Sequence, residues 1–227
     1  MDTPNIEDLY HPIQKYVNST SLELLLIETV PLAMRVTEDL SRQMSTDEDQ
    51  DDSEDGSATT TTAKVTEKSC KHTREELIQT YQQQINLLAG PHADDVYARI
   101  ESYGYRVGRG LGEILTQDRR GQFADPLDIV KFICKDLWPT VYNKSIDNLK
   151  TNHRGTYVLV DTNFGPCKRM STSRDGANKL LDRATPFLWF PVGLIRGCLE
   201  ALGMGAQVTF ETTELPTVSF HIQSQNK

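Results

Sequence analysis

The residues able to do chemistry are few and scattered. The five histidines stand at His11, His72, His92, His153 and His221. None lies four residues from another, and none has cysteines or carboxylates at the spacing of a zinc site, so no metal is expected. The four cysteines, Cys70, Cys134, Cys167 and Cys198, are far apart and form no C-x-x-C pair. Cys134 and Cys198 fall on apolar helical patterns, where a thiol is an inert core group. Cys167 is the most exposed by pattern, and only Lys168 and Arg169 beside it would favour a thiolate. Asp125, Asp128 and Asp136 are paired carboxylates only on paper: the first two suit a helix N-terminus and the third a solvated face. The run Gly108-Arg109-Gly110-Leu111-Gly112 has the glycine density of a phosphate loop. It stands inside a helical pattern and follows no strand, so close helix packing accounts for it better. Neither a G-x-S-x-G elbow nor a G-x-x-x-x-G-K-[ST] loop occurs. No catalytic residue and no cofactor site is assigned, and the chain is expected not to be an enzyme.

The bulk composition narrows the field further. A chain of 227 residues suits one domain with an accessory segment. Its hydrophobic fraction of 37% is low for a wholly globular chain, so part of it is expected to lie outside any core. Between Asp47 and Asp55 seven of nine residues are acidic, and removing them takes the formal net charge from −8 to −1. An acidic chain without a basic arm argues against nucleic acid as a partner, because that binding needs clustered Lys and Arg to displace counterions. The first residues, MDTPNIEDLY, are acidic and polar where a secretory leader would be basic. No run approaches the roughly 18 apolar residues that span a bilayer. A cytoplasmic protein with reduced thiols is expected.

The elements that would position these residues follow from periodicity and capping. Thr20 and Glu23 have capping-box spacing and predict a helix start. Leu22, Leu25, Leu26, Thr29, Ala33, Val36 and Leu40 then form one stripe, while Leu24, Ile27 and Met34 add a second; a helix apolar on two sides is buried on two sides. Pro31 is expected to kink it. From Ser41 to about Lys71 periodicity is lost through the acidic block and Thr59 to Thr62, the composition of a disordered insert. Thr73 and Glu76 repeat the capping-box spacing and predict an accessory helix over 73–89. A further helix carries Val96, Ile100, Val107, Leu111, Ile114 and Leu115, with Gly104, Gly108 and Gly112 at four-residue intervals for close backbone approach.

Asp125-Pro126 predicts the next helix start, with Ile129, Phe132, Ile133, Leu137, Val141 and Tyr142 buried and Trp138-Pro139 bending or ending the regular part. Asn148 to Asn152 reads as a polar turn. Thr156 to Val160 and Cys167 to Ser171 are expected to form a hairpin, followed by a short helical piece, Ala177 to Ala184, and a helix from about Val192 to Gly203 or Gly205. Gln207 to Thr212 and Thr217 to Gln223 alternate as two more strands. The expected fold is α/β in the α+β sense: a four-stranded antiparallel sheet with helices packed on one face and a helical N-terminal half. The expected organisation is a first helix in 1–43, an acidic insert over 44–91, and the main body of the same domain over 92–227.

Four stretches carry a resemblance: YGYRVGRGLGE (Tyr103 to Glu113), DIVKFICKDLW (Asp128 to Trp138), IDNLKTNHRGTYVL (Ile146 to Leu159) and GLIRGCL (Gly193 to Leu199). They resemble the small subunits of the transport protein particle, TRAPP, closest to the sixth or 33-kilodalton branch. The likeness covers the first helix and nearly everything from Val96 onward, but not the insert. It implies a four-stranded antiparallel sheet covered by helices on one face. It implies a non-catalytic scaffold subunit of a multisubunit tether in ER-to-Golgi and Golgi transport that promotes nucleotide exchange on a Rab-family GTPase, peripheral at those membranes through the complex alone. The resemblance also implies pairing with a related small subunit through N-terminal helices, here Leu22, Leu25, Leu26, Val30 and Ala33 with Val96, Ile100 and Val107. The acylated branch places a cysteine just before the helix that begins here near Asp125. Gln117 to Ala124 contain none, so acylation is not carried over. The alternative from another class is a module binding an apolar small molecule between sheet and helices.

Overall fold

Helix α1 spans Ser19–Glu48. Its first turn is closed not by the expected Thr20 but by Asn18, whose side-chain oxygen accepts the Thr20 N–H at 3.0 Å. The helix continues through Pro31 and on to Glu48, inside the stretch expected as insert. The computed structural model describes residues 18–48, 90, 92–117, 123, 125–152, 155–168, 170 and 177–225. Most of the insert, including the accessory helix expected over 73–89, lies outside the described residues.

Helix α2 spans Ala93–Leu115. Three segments then run end to end as α3: Pro126–Phe132, a π-helical stretch Ile133–Leu137, and Trp138–Tyr142. Asp125 is extended and Pro126 opens the helix, as its sequence predicts. The wide turn precedes Pro139, which has no N–H to donate and whose ring crowds the carbonyl four residues back. Asn143, in the left-handed conformation at φ 55°, ends α3.

Strands β1 (Asn148–Thr151), β2 (Thr156–Asp161), β3 (Ala206–Glu211) and β4 (Val218–Ser224) make one antiparallel sheet in the order β1-β2-β4-β3. The fold class is the expected one, but one strand is a different segment. Asn148–Thr151 is not a turn; it pairs with β2, Leu149 opposite Leu159. Cys167 does not begin a return strand. It lies in a short helix α4, Gly165–Lys168, and is buried with 2% exposure. Burial pushes its thiol up to about 12, so the thiolate chemistry entertained for it is closed off. Burial does the same for Cys134 and Cys198. Helix α5, Ala177–Ala201, is continuous where a break was expected, and holds Pro186 and Pro191 inside it.

One face of the sheet, with Tyr157, Leu159, Val218, Phe220, Ile222 and Val208, packs on α3 and α5 to form the main core. Helix α2 lies on α5 with their backbones in contact. A methyl added at Gly104 or Gly108 would overlap the carbonyl oxygen of Phe190 or Leu194, and one at Gly193 or Gly197 would overlap that of Glu101 or Tyr105. The glycine spacing therefore serves helix packing and not phosphate binding.

A hydrogen-bonded knot lies around the ends of the Ile146–Leu159 run. Asp161 closes β2 at 0% exposure. Its carboxylate accepts from Trp138 Nε1 at 3.0 Å, Lys144 Nζ at 2.7 Å and the Asn163 N–H at 3.0 Å. Lys144 also donates to Asp147 at 2.9 Å, and Asp147 accepts from the Thr162 N–H and hydroxyl, both at 2.7 Å. The Lys144 hydrogen bond and those from Thr162 hold the Asp147 carboxyl down at about 2. Burial opposes the Lys144 charge, but hydrogen bonds to Asp161 and Asp147 outweigh it and raise its pKa. The knot ties the end of α3 to the first hairpin.

Candidate partner interface

Helix α1 crosses α2 through a small second core of Val30, Ala33, Met34, Val96 and Ile100, on which Tyr103, Phe187, Trp189 and Phe190 pack. Arg99 Nε donates to the Thr37 hydroxyl at 3.2 Å across the crossing, and that hydroxyl donates to the Ala33 carbonyl at 2.8 Å.

This crossing divides the eight residues expected at a partner face. Val30, Ala33, Val96 and Ile100 are enclosed by the chain itself. Leu25 and Val107 are exposed, and Leu22 and Leu26 are half-buried. Residues outside that set join the exposed group: Leu32 and Leu40 on α1 and Ile114 on α2. With Leu25, Thr29 and Val36, the two α1 leucines lie at spacings of three and four, one stripe along the helix. Leu25 is 64% and Ile114 68% exposed. The stripe on α2 runs Val96, Ile100, Tyr103, Val107, Ile114; α1 covers its beginning and leaves its end open. The sequence signal for Leu32 and Ile114 was present in the same periodicity, but spacing alone cannot say which part of a stripe the chain covers for itself.

Beside the start of α1 an apolar cleft is lined by Leu22, Leu26, Val141, Pro166, Phe187 and Phe190. Its cavity volume of about 80 Å³ is small beside the roughly 300–1,000 Å³ of ordinary ligand pockets. Among the described residues no group of three or more His, Cys, Asp and Glu side chains could hold a metal ion. No described helix is long and apolar enough to cross a membrane.

A family model described as "Transport protein particle (TRAPP) component" matches residues 22–225. The chain belongs to the TRAPP family. Human trafficking protein particle complex subunit 6B is 46% identical over 127 residues, 56% of this chain and 77% of that protein. Human subunit 6A is 42% identical over 123 residues, covering 54% of this chain and 74% of that protein. The crystal structure of a subunit 3 from Naegleria fowleri, covalently bound to palmitic acid, superposes with a TM-score of 0.51 at 15% identity, over 67% of this chain and 95% of that one. That last likeness concerns the fold alone. Together the matches make this TRAPP chain a small subunit of the sixth type, a component of the particle acting in vesicle transport with other TRAPP subunits as partners.

Proposed function

We propose that this TRAPP subunit is a non-catalytic scaffold that pairs with a related small subunit through the exposed stripes of α1 and α2. The pair would serve within a tether that promotes nucleotide exchange on a Rab-family GTPase at ER–Golgi and Golgi membranes. One observation carries the reading. The α2 stripe is closed over Val96 and Ile100 by α1 and left open at Val107 and Ile114, although all lie on one helix face. A large apolar side chain left in water forgoes about 1.5–3 kcal/mol of burial, and a partner helix laid along the open end would recover it. Leu22, Leu25 and Leu26 add apolar surface at the start of α1, and Val30, Ala33, Val96 and Ile100 hold the two helices together at their crossing.

Val107→Asp with Ile114→Asp should abolish copurification with a coexpressed TRAPP small subunit while leaving circular dichroism unchanged. Wild-type recovery of the partner would place the interface elsewhere. The wider reading is tested by exchange activity: a particle assembled without this subunit should lose activity toward its Rab, and an undiminished rate would remove the scaffold role.

A further inference from the structure

The two edges of the sheet differ. β1 is four residues long, with charged Lys150 exposed in it, the usual protection of an edge against added strands. β3 is six residues long, Ala-Gln-Val-Thr-Phe-Glu, with neither proline nor lysine. The Gln225 N–H donates to the Gly205 carbonyl at 2.9 Å, immediately before β3. Because antiparallel pairing alternates, Gln207, Thr209 and Glu211 turn their backbone groups toward β4. The N–H and C=O groups of Ala206, Val208 and Phe210 turn outward, and no described strand meets them. Such a row of free donors and acceptors is a template for another strand.

Beside this edge lies an aromatic strip. The Phe210 ring stands edge-on to Trp189 of α5, centroids 5.4 Å apart, and Trp189 stacks on Tyr97 of α2 at 5.5 Å. All three are half-buried, so the strip continues the apolar face of the sheet past its last strand. Its rim is acidic. Burial raises the Tyr97 hydroxyl pKa, and the nearby Asp94 and Asp182 carboxylates add to the effect. Both carboxylates are exposed, and neither has a cationic partner among the described residues.

We propose that the β3 edge receives an extended segment of another protein, adding it as a fifth strand. Its large apolar side chains would rest on Phe210, Trp189 and Tyr97, and Lys or Arg residues at its ends, on that same face of the added strand, would stand beside Asp94 and Asp182. Main-chain hydrogen bonds supply the attachment, the strip selects alternate apolar side chains, and the rim selects positive charge. None of Phe210, Trp189 and Tyr97 belongs to the α1 and α2 stripes proposed for pairing.

The probe is a capped heptapeptide, Lys-Thr-Phe-Thr-Val-Thr-Lys, whose Lys, Phe and Val side chains all fall on one face of a strand, set against its counterpart with Glu for Lys, both titrated into the full chain. The Lys peptide should bind at least about tenfold more tightly than the Glu peptide. Ala206→Pro removes an outward N–H at the first position of an edge strand, where proline is tolerated, and should weaken binding about tenfold. Amide hydrogen exchange of wild-type protein gives a readout independent of that variant's folding. On Lys-peptide binding, Val208 and Phe210 should slow by about tenfold or more while Thr209, already bonded to β4, stays unchanged. Absence of saturable binding, equal affinity for both peptides, or unchanged Val208 and Phe210 exchange would each overturn the proposal. A dimer of the free chain that Ala206→Pro converts to monomer would assign the edge to a second copy and overturn it as well.

Discussion

Lys144 Nζ donates to Asp161 Oδ1 at 2.7 Å, joining the segment after α3 to the end of β2. Asp161 is fully buried, and its other oxygen accepts the Trp138 indole N–H. Removing the carboxylate leaves the buried Trp138 indole N–H without an acceptor, while Lys144, 27% exposed, keeps its bond to Asp147; an unsatisfied buried donor costs about 1–3 kcal/mol. Asp161→Ala should therefore lower unfolding stability by about 2–3 kcal/mol, read as a fall in the urea midpoint. A loss under about 1 kcal/mol would mean that water or a shifted Lys144 replaces the carboxylate.

Asp147 gives the same knot a pH dependence. Its carboxyl is held at about 2 by Lys144 and Thr162. The folded value lies below the unfolded one, so the stabilisation is present above about pH 4 and fades as pH falls toward about 2. Wild type should exceed Asp147→Asn in urea midpoint at neutral pH, with the gap closing through that window. A gap independent of pH would show that the carboxylate charge contributes nothing.

What the chain disclosed of its fold depended on whether local pattern and tertiary environment agreed. The stripes of α1 and α2, the strands β2, β3 and β4, and the glycine packing were legible because each has a strong period or a spacing with one physical use. β1 was hidden because Asn148–Thr151 is a polar edge strand whose residues stay exposed or half-buried, so its composition matches a turn. α5 was split in expectation at Pro186 and Pro191. It survives as one helix because the sheet covers one side and the α2 backbone the other, and tertiary packing outweighs local propensity. The Lys144–Asp161 pair spans 17 residues, beyond any local signal. Of the apolar stripes proposed for pairing, the surplus was visible in the sequence, but not which residues the chain's own crossing consumes.

That division of the apolar residues can be measured. Ile100, fully buried at the crossing, should cost about 2–5 kcal/mol when changed to Ala. Leu25→Ala, at 64% exposure, should leave the stability of the free chain within about 0.5 kcal/mol. The order should reverse for pairing, with Leu25→Ala weakening association with a related small subunit more than it weakens the fold. Equal stability losses from the two variants would refute the assignment of Leu25 to an open face.

The glycines of α2 give the sharpest contrast, because two close neighbours in one helix should respond with opposite sign. A Cβ at Gly108 would overlap the Leu194 carbonyl, and neither helix backbone can yield without separating α2 from α5. Overpacking of this kind costs typically about 1–3 kcal/mol, and more where backbone must move. Gly108→Ala should therefore lower the melting temperature markedly. Gly110 lies two residues on in the same helix, and a Cβ there meets nothing within 4 Å. Alanine at an open helical position should gain about 0.5–1 kcal/mol over glycine by restricting the unfolded chain. Thermal unfolding of the two single variants beside wild type decides the matter. Destabilisation by Gly108→Ala with a gain from Gly110→Ala is the expected outcome. A gain from both would mean that α2 and α5 do not touch through their backbones.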